Sequence, residues 1–229
     1  MADARLRPRE QAAAVDQAAA ISVGARARQA VAALLRSENL VTGLALAGIL
    51  IVGLAFRVTD VNWDEGQHLH PDERFLSIVE SSITLPDSAG EYFDSANSPM
   101  NPYKDRSTFV YGTFPLFLNK FVAEWLDEDE GGKAHWSAEK LKGVLETLGV
   151  ELRGEDGRLR LNGGYESQFV GRVLSAVFDV FTIALVFETG RVLFGKRVGL
   201  AAAALLSLTV LHIQYSHFFG SETFLAFFV

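Results

Sequence analysis

Residues 40–56, LVTGLALAGILIVGLAF, form a run of 17 without a single charged side chain. A helix of that length reaches about 25 Å at about 1.5 Å per residue, the short end of a bilayer crossing, and it has no polar face to turn toward water. Further apolar runs follow at 169–187 and 198–215, and another begins at 221–229. One such run could be a buried helix of a water-soluble core; several in one chain fit a set of spanning helices. The expected fold class is therefore an all-α integral membrane protein, a multi-span helical bundle with a long outer loop carrying short amphipathic helices. The last run stops after about two turns. It reads as the start of a truncated helix, in the N-terminal part of a longer protein.

Charge sets the expected sidedness. Residues 1–39 carry six arginines against four acids, whereas 57–168 carry 21 Asp and Glu against 11 Lys and Arg. Basic residues stay on the cytoplasmic side of a span. Residues 1–39 are thus expected to be a cytoplasmic tail, with an amphipathic helix between residues 10 and 35, and 57–168 an outer loop. The connector 188–197, with Arg191, Lys196 and Arg197, returns to the cytoplasm. This describes a multi-pass protein of the cell membrane with its N-terminus inside. The net charge of −7 argues against a nucleic-acid partner. The chain has no cysteine, which removes thiolate nucleophiles and Cys-based metal sites.

Within the outer loop, Phe75, Leu76 and Val79 recur at helical spacing after Pro71, predicting a helix over 72–82 that opens on Asp72 and Glu73. Residues 83–107, rich in Pro, Ser, Asp and Asn, read as irregular loop. The aromatic stretch 109–126 suits an interfacial or re-entrant helix. Residues 127–130 form an acidic turn and 137–148 a small amphipathic helix. Asp156-Gly157 closes a hairpin over 152–159. Together these make a small polar subdomain.

The chemistry-bearing residues gather near the first span. Asp72 and Glu73 could act as general base, as acceptor-binding groups or as charges favouring a helix N-terminus. Asp64 and Glu65 are the runner-up carboxylates. His68 and His70 lack the spacing of a defined ligand set, so no metal site is assigned; a divalent ion is the only cofactor considered. Asp179 falls inside the second span, where a lipid-facing carboxylate costs roughly 2.5–3.5 kcal/mol. It must therefore face the interior and pair, with Arg172 or with a group on helices beyond the sequence. Arg172, at the outer end of that span, suits a lipid-borne phosphate or a snorkelling role. No phosphate-binding Gly-rich loop and no nucleophile elbow is present.

Five short motifs in order carry a resemblance. Pro71-Asp72-Glu73-Arg74-Phe75 and Tyr111-Gly112-Thr113-Phe114-Pro115-Leu116 lie in the loop. Arg172-Val173-Leu174-Ser175-Ala176 enters the second span, which ends on Gly190-Arg191-Val192-Leu193-Phe194-Gly195. Gln214-Tyr215-Ser216-His217 precedes the last apolar run. From about Leu40 onward the chain resembles the polyprenyl-phosphate-sugar glycosyltransferases of the GT-C fold, of protein O-mannosyltransferase and aminoarabinose transferase type. It departs from the aminoarabinose transferases at Gly112-Thr113-Phe114-Pro115-Leu116, where they have Gly-Lys-Pro-Pro-Leu, and His217 stands where many relatives carry Arg.

The resemblance implies a membrane glycosyltransferase, hexosyl- or pentosyl-transferring. It would move a sugar from a polyprenyl-phosphate carrier to an acceptor hydroxyl on the outer face, the acceptor being a glycan, lipid or protein. Asp72 would be the catalytic base with Glu73 beside it. Arg172, Tyr111, His70, His217 and Glu222 are the candidate substrate-binding residues. The alternatives are a non-catalytic membrane protein whose outer subdomain binds a ligand or partner, and a transporter, motivated by Asp179.

Overall fold

The computed structural model describes residues 38–64, 67–104, 107–126, 140, 143, 147 and 167–229. The chain divides into two compact units, residues 1–47 and 48–229. The described part of the first is the opening of helix α1 (Glu38–Val58), where the Thr42 hydroxyl donates to the Glu38 carbonyl one turn back. The second unit holds the rest of α1 and then α2 (Pro71–Ser81), α3 (Ala89–Phe93), α4 (Thr113–Leu126), α5 (Gln168–Phe194), α6 (Lys196–Ser207), α7 (Val210–Ser216) and α8 (Glu222–Phe228). No strand occurs among the described residues. The expected tail helix, the acidic turn at 127–130 and the hairpin at 152–159 lie outside the described residues, as does Glu65. So does the helix at 137–148, apart from residues 140, 143 and 147.

Helices α1 and α5 are long and apolar enough to cross a membrane, and α6 with α7 makes a third candidate if that bent pair is one span. Only 6% of the apolar window of α1 is buried, with Leu44, Ile51 and Phe56 among its exposed side chains. Leaving a large apolar side chain in water forgoes about 1.5–3 kcal/mol each, so these faces call for lipid. The protein is an all-α membrane protein.

Helix α2 begins where Pro71 predicts. Proline tolerates the first turn because its missing N–H has no intrahelical partner there, and His70 caps the end by accepting from the Glu73 N–H through Nδ1 at 3.4 Å. Helix α4 is a single element of 14 residues that carries Pro115 in its first turn. Gly112, just before it, has φ +75, a conformation that glycine adopts without penalty. Leu76, Val79 and Ile83 of the α2 region pack with Phe109, Leu116 and Phe219 in one apolar cluster. A second joins Val58 and Val61 after α1 to Ala123 and Leu126 of α4 and to Phe169, Val170 and Ala176 of α5.

Two boundaries differ from the sequence reading. Helix α5 does not stop near residue 187 but continues for 27 residues to Phe194. Nothing between Phe187 and Phe194 breaks a helix, and the Glu188–Arg191 pair at 2.6 Å supports that turn. The connector is in effect Gly195, at φ +93, and α6 folds straight back. There Gly190 faces Gly199: a Cβ on Gly190 would lie 2.8 Å from the Gly199 Cα, and one on Gly199 would lie 2.6 Å from the Phe187 carbonyl oxygen. The run 198–215 is likewise not one straight helix, since α6 and α7 meet at a bend of 58°. No proline causes it. The Ser207 and Thr209 hydroxyls bond back to the Ala204 and Leu205 carbonyls, and the Leu206 and Ser207 carbonyls turn to a side chain instead.

Candidate active site

Asp72 and Glu73 are neighbours on the first turn of α2, and successive helical side chains diverge by about 100°. They consequently face different surroundings. Glu73 is fully buried and meets Arg172, with Nε to Oε1 at 2.7 Å and Nη2 to Oε2 at 2.6 Å. Asp72 is half-buried and accepts from the Tyr111 hydroxyl at 2.8 Å. The Tyr111 phenol is pushed up to about 12, by burial first and then by its bond to Asp72, with the Glu222 charge adding to it. It therefore remains a donor toward Asp72 throughout the physiological range.

Arg172 was expected to meet a lipid phosphate or to snorkel. Its five N–H groups are instead all taken: two by Glu73, two by Asp64 at 3.0 Å, and one by the Val61 carbonyl at 2.7 Å. The Trp63 and Phe169 rings lie 5.5 and 5.6 Å from the guanidinium carbon. One cation faces two carboxylates here, all with fully buried side chains, and backbone donors help balance the extra negative charge. The Phe219 N–H donates to Glu73 at 2.9 Å and the Leu69 N–H to Asp64 at 3.3 Å. Removing one partner from such a buried set costs roughly 3–5 kcal/mol. The cluster ties α2, the segment after α1 and the start of α5 together through Glu73, the neighbour of Asp72.

Asp179, fully buried, pairs within the described residues with Arg57 and His212 rather than with Arg172. Its Oδ2 accepts from Arg57 Nε at 2.6 Å and its Oδ1 meets His212 Nδ1 at 2.7 Å. Arg57 is also fully buried, donating from Nη1 to the Gly53 and Ser207 carbonyls at 3.0 Å and from Nη2 to Leu206 at 3.4 Å. It thereby holds the carbonyls released at the α6–α7 bend. Neither Arg57 nor His212 stood out in the sequence. The signal that could have found them is that Asp179, inside an apolar span, required a cation at its own depth.

The other candidates divide. His70 stacks on Phe218 with ring centroids 4.1 Å apart. His217 has a carbonyl at each ring nitrogen, Ile213 at 2.7 Å and Thr59 at 2.8 Å, so it fastens α7 to the end of α1. Glu222 is exposed at the start of α8 and acts on Tyr111 through its charge. His68 is buried, and burial lowers its imidazole against the opposing pull of Glu73 and Asp64. Among the described residues no three His, Asp or Glu side chains are grouped to hold a metal ion. Beside Tyr111 a cavity of about 340 Å³ opens between the α4 entrance and α8, lined by Pro115, Ser221, Phe224 and Phe228 among others.

No curated protein and no solved structure matches the chain. Residues 159–229, which span α5 to α8, match the family model described as dolichyl-phosphate-mannose-protein mannosyltransferase. The resemblance carried by the motifs is thus borne out: over that segment this chain is similar to the membrane glycosyltransferases of the GT-C type.

Proposed function

We propose that this protein is a multi-pass membrane glycosyltransferase that moves a sugar from a polyprenyl-phosphate carrier to an acceptor hydroxyl on the outer face. Asp72 is the general base. The reading is supported by the family match at 159–229, and at the site by one observation. Of the paired carboxylates on α2, Glu73 is locked onto Arg172, while Asp72 stays half-exposed in a fixed orientation on Tyr111. In the displacement, Asp72 takes the proton of the acceptor hydroxyl, the oxygen bonds to the anomeric carbon, and the carbon–oxygen bond to the lipid phosphate breaks. Glu73 and Arg172 hold the α2 terminus that carries the base. The sugar is a hexose or pentose, and the acceptor a glycan, lipid or protein.

The test uses the full-length protein. Asp72→Asn keeps the shape and removes the base, and is expected to lower transfer roughly 10²–10⁴-fold with insertion and thermal stability preserved. Glu73→Gln is expected to fail differently, by loss of folded protein, because it leaves the buried Arg172 short of a partner. An Asp72→Asn protein that turns over at the wild-type rate would remove the assignment and leave Asp72 as a helix-terminal charge.

A further inference from the structure

A cavity of about 310 Å³ lies in the stretch from α3 to α4, lined by Tyr92 and Phe93 of α3, Ser95, Tyr103, and Thr113 and Phe117 of α4. Helix α3 is five residues long and buries none of them; Tyr92 is 41% and Phe93 79% exposed. Core packing therefore does not account for these rings, yet they are held in place. The Ser88 hydroxyl accepts from the Glu91 N–H at 3.2 Å and Glu91 Oε2 from the Asp87 N–H at 2.8 Å, which braces the start of α3 reciprocally. Tyr92 meets Phe117 edge-on, with ring centroids 6.3 Å apart. Tyr103 is fixed through its hydroxyl, which donates to the Phe109 carbonyl at 3.0 Å.

The backbone of this segment offers a ligand no donors. Every N–H from Asp94 to Lys104 is already bonded to a neighbouring residue, Pro99 and Pro102 having none. No strand edge occurs among the described residues either. A peptide held in extended form through its main chain is thereby poorly served. What remains is side chains: aromatic rings, and the Tyr92, Ser95 and Thr113 hydroxyls, which have no hydrogen-bond partner among the described residues. No charged side chain lines the cavity, and the surrounding residues 83–104 carry Asp87, Glu91 and Asp94 against Lys104. An anion is disfavoured there. A neutral pyranose suits all of this. Its C–H face, slightly positive, lies against the electron-rich face of an aromatic ring, and its hydroxyls reach hydroxyl partners around the rim.

The cavity is close to Asp72. The Phe109 ring stands edge-on to both Tyr103 and Tyr111, with centroids 6.2 Å from each, and Tyr111 donates to Asp72. Thr113 follows Tyr111 by two positions, a separation of at most about 7.6 Å between Cα atoms. We propose that this cavity binds a pyranose unit of the acceptor, set against the Tyr92, Phe93 and Tyr103 rings, with Ser95 and Thr113 meeting its hydroxyls. The assignment rests on the glycosyltransferase reading above and narrows its acceptor to a neutral glycan.

An array tests it with the full-length protein in lipid nanodiscs. The array carries neutral oligosaccharides, oligosaccharides ending in uronic or sialic acid, and neutral peptides rich in Ser and Thr. Wild type is expected to bind neutral oligosaccharides and neither other class. Tyr92→Ala and Phe93→Ala are each expected to weaken that binding about tenfold, as for loss of a stacked ring, whereas Tyr92→Phe keeps most of it. Melting is expected to stay unchanged in all three, because α3 buries no residue. A wild-type protein that binds no neutral oligosaccharide overturns the proposal, as does binding that the alanine variants leave intact. Preference for the acidic oligosaccharides overturns it too, and capture of the peptides instead makes the acceptor a protein. The captured oligosaccharide is then offered with undecaprenyl-phosphate-linked mannose, glucose or aminoarabinose. Transfer to it is expected, with Tyr92→Ala raising KM for the oligosaccharide and leaving kcat near wild type. Oligosaccharide binding without consumption of any donor removes the glycosyltransferase reading and the acceptor role with it; donor consumption without oligosaccharide binding removes this site alone.

Discussion

Glu80 shows how a single side chain can set the pH response of the outer loop. Its carboxyl is 1% exposed and takes a hydrogen bond from Asn119 Nδ2 at 2.7 Å, while Oε1 and the Asn119 Oδ1 are buried without partners. Burial pushes this group up to about 7 from 4.5, against the pull of that hydrogen bond. A carboxyl raised on folding binds its proton more tightly in the folded state. Its stabilising effect is complete below about 4.5, and is lost as pH rises through about 7. The loss is at most about 3 kcal/mol. Glu80→Gln removes the titration and offers an N–H to the Asn119 oxygen. In detergent the variant is expected to melt above wild type at about pH 8 and to show a flatter dependence between about pH 5 and pH 7. Parallel melting curves across that range would show that Glu80 does not titrate there.

At the level of elements, the α5–α6 hairpin depends on two glycines rather than on side-chain interlocking. A side chain at residue 199 would run into backbone, the Phe187 carbonyl and the Arg191 nitrogen, and backbone cannot swing aside. Gly199→Val is therefore expected to reduce the yield of monodisperse protein severalfold or shift its melting well below wild type. Gly48→Val is the control, since nothing lies within 4 Å of a Cβ there; equal behaviour of the two variants would contradict the close approach. The elements themselves were largely legible. Pro71 and the acidic pair marked the start of α2, an uncharged stretch marked α1, and a long apolar run marked α5. The bend between α6 and α7 was not, because its cause is remote: the Arg57 guanidinium holds carbonyls about 150 positions further along the chain. Local periodicity carries no trace of such a partner. The division of labour between Asp72 and Glu73 was hidden for the same reason, since it follows from remote partners, Tyr111 on Asp72 and Arg172 on Glu73.

For the molecule as a whole, orientation in the bilayer is the property to establish, and the absence of cysteine makes it accessible. From the charge asymmetry we propose that the loop between α1 and α5 lies outside and the Gly195 turn inside. A cysteine at Ser95, exposed in that loop, is expected to react with an impermeant maleimide on intact cells, and one at Thr189, exposed near the turn, only after permeabilisation; the reverse pattern would invert the proposed topology. The length of α5 then acquires a mechanical meaning. Its 27 residues extend about 40 Å, against about 30 Å of hydrocarbon. Its N-terminal end is anchored by Arg172 to Asp64 and Glu73, so the excess must be taken up by tilt or by the opposite end. A thinner bilayer demands more tilt, and the same rod carries Arg172, which holds Glu73 next to Asp72 on α2. On the proposed function, membrane thickness thereby becomes a variable of the site at Asp72, transmitted along one rigid helix to the Arg172–Glu73 contact at its N-terminal end.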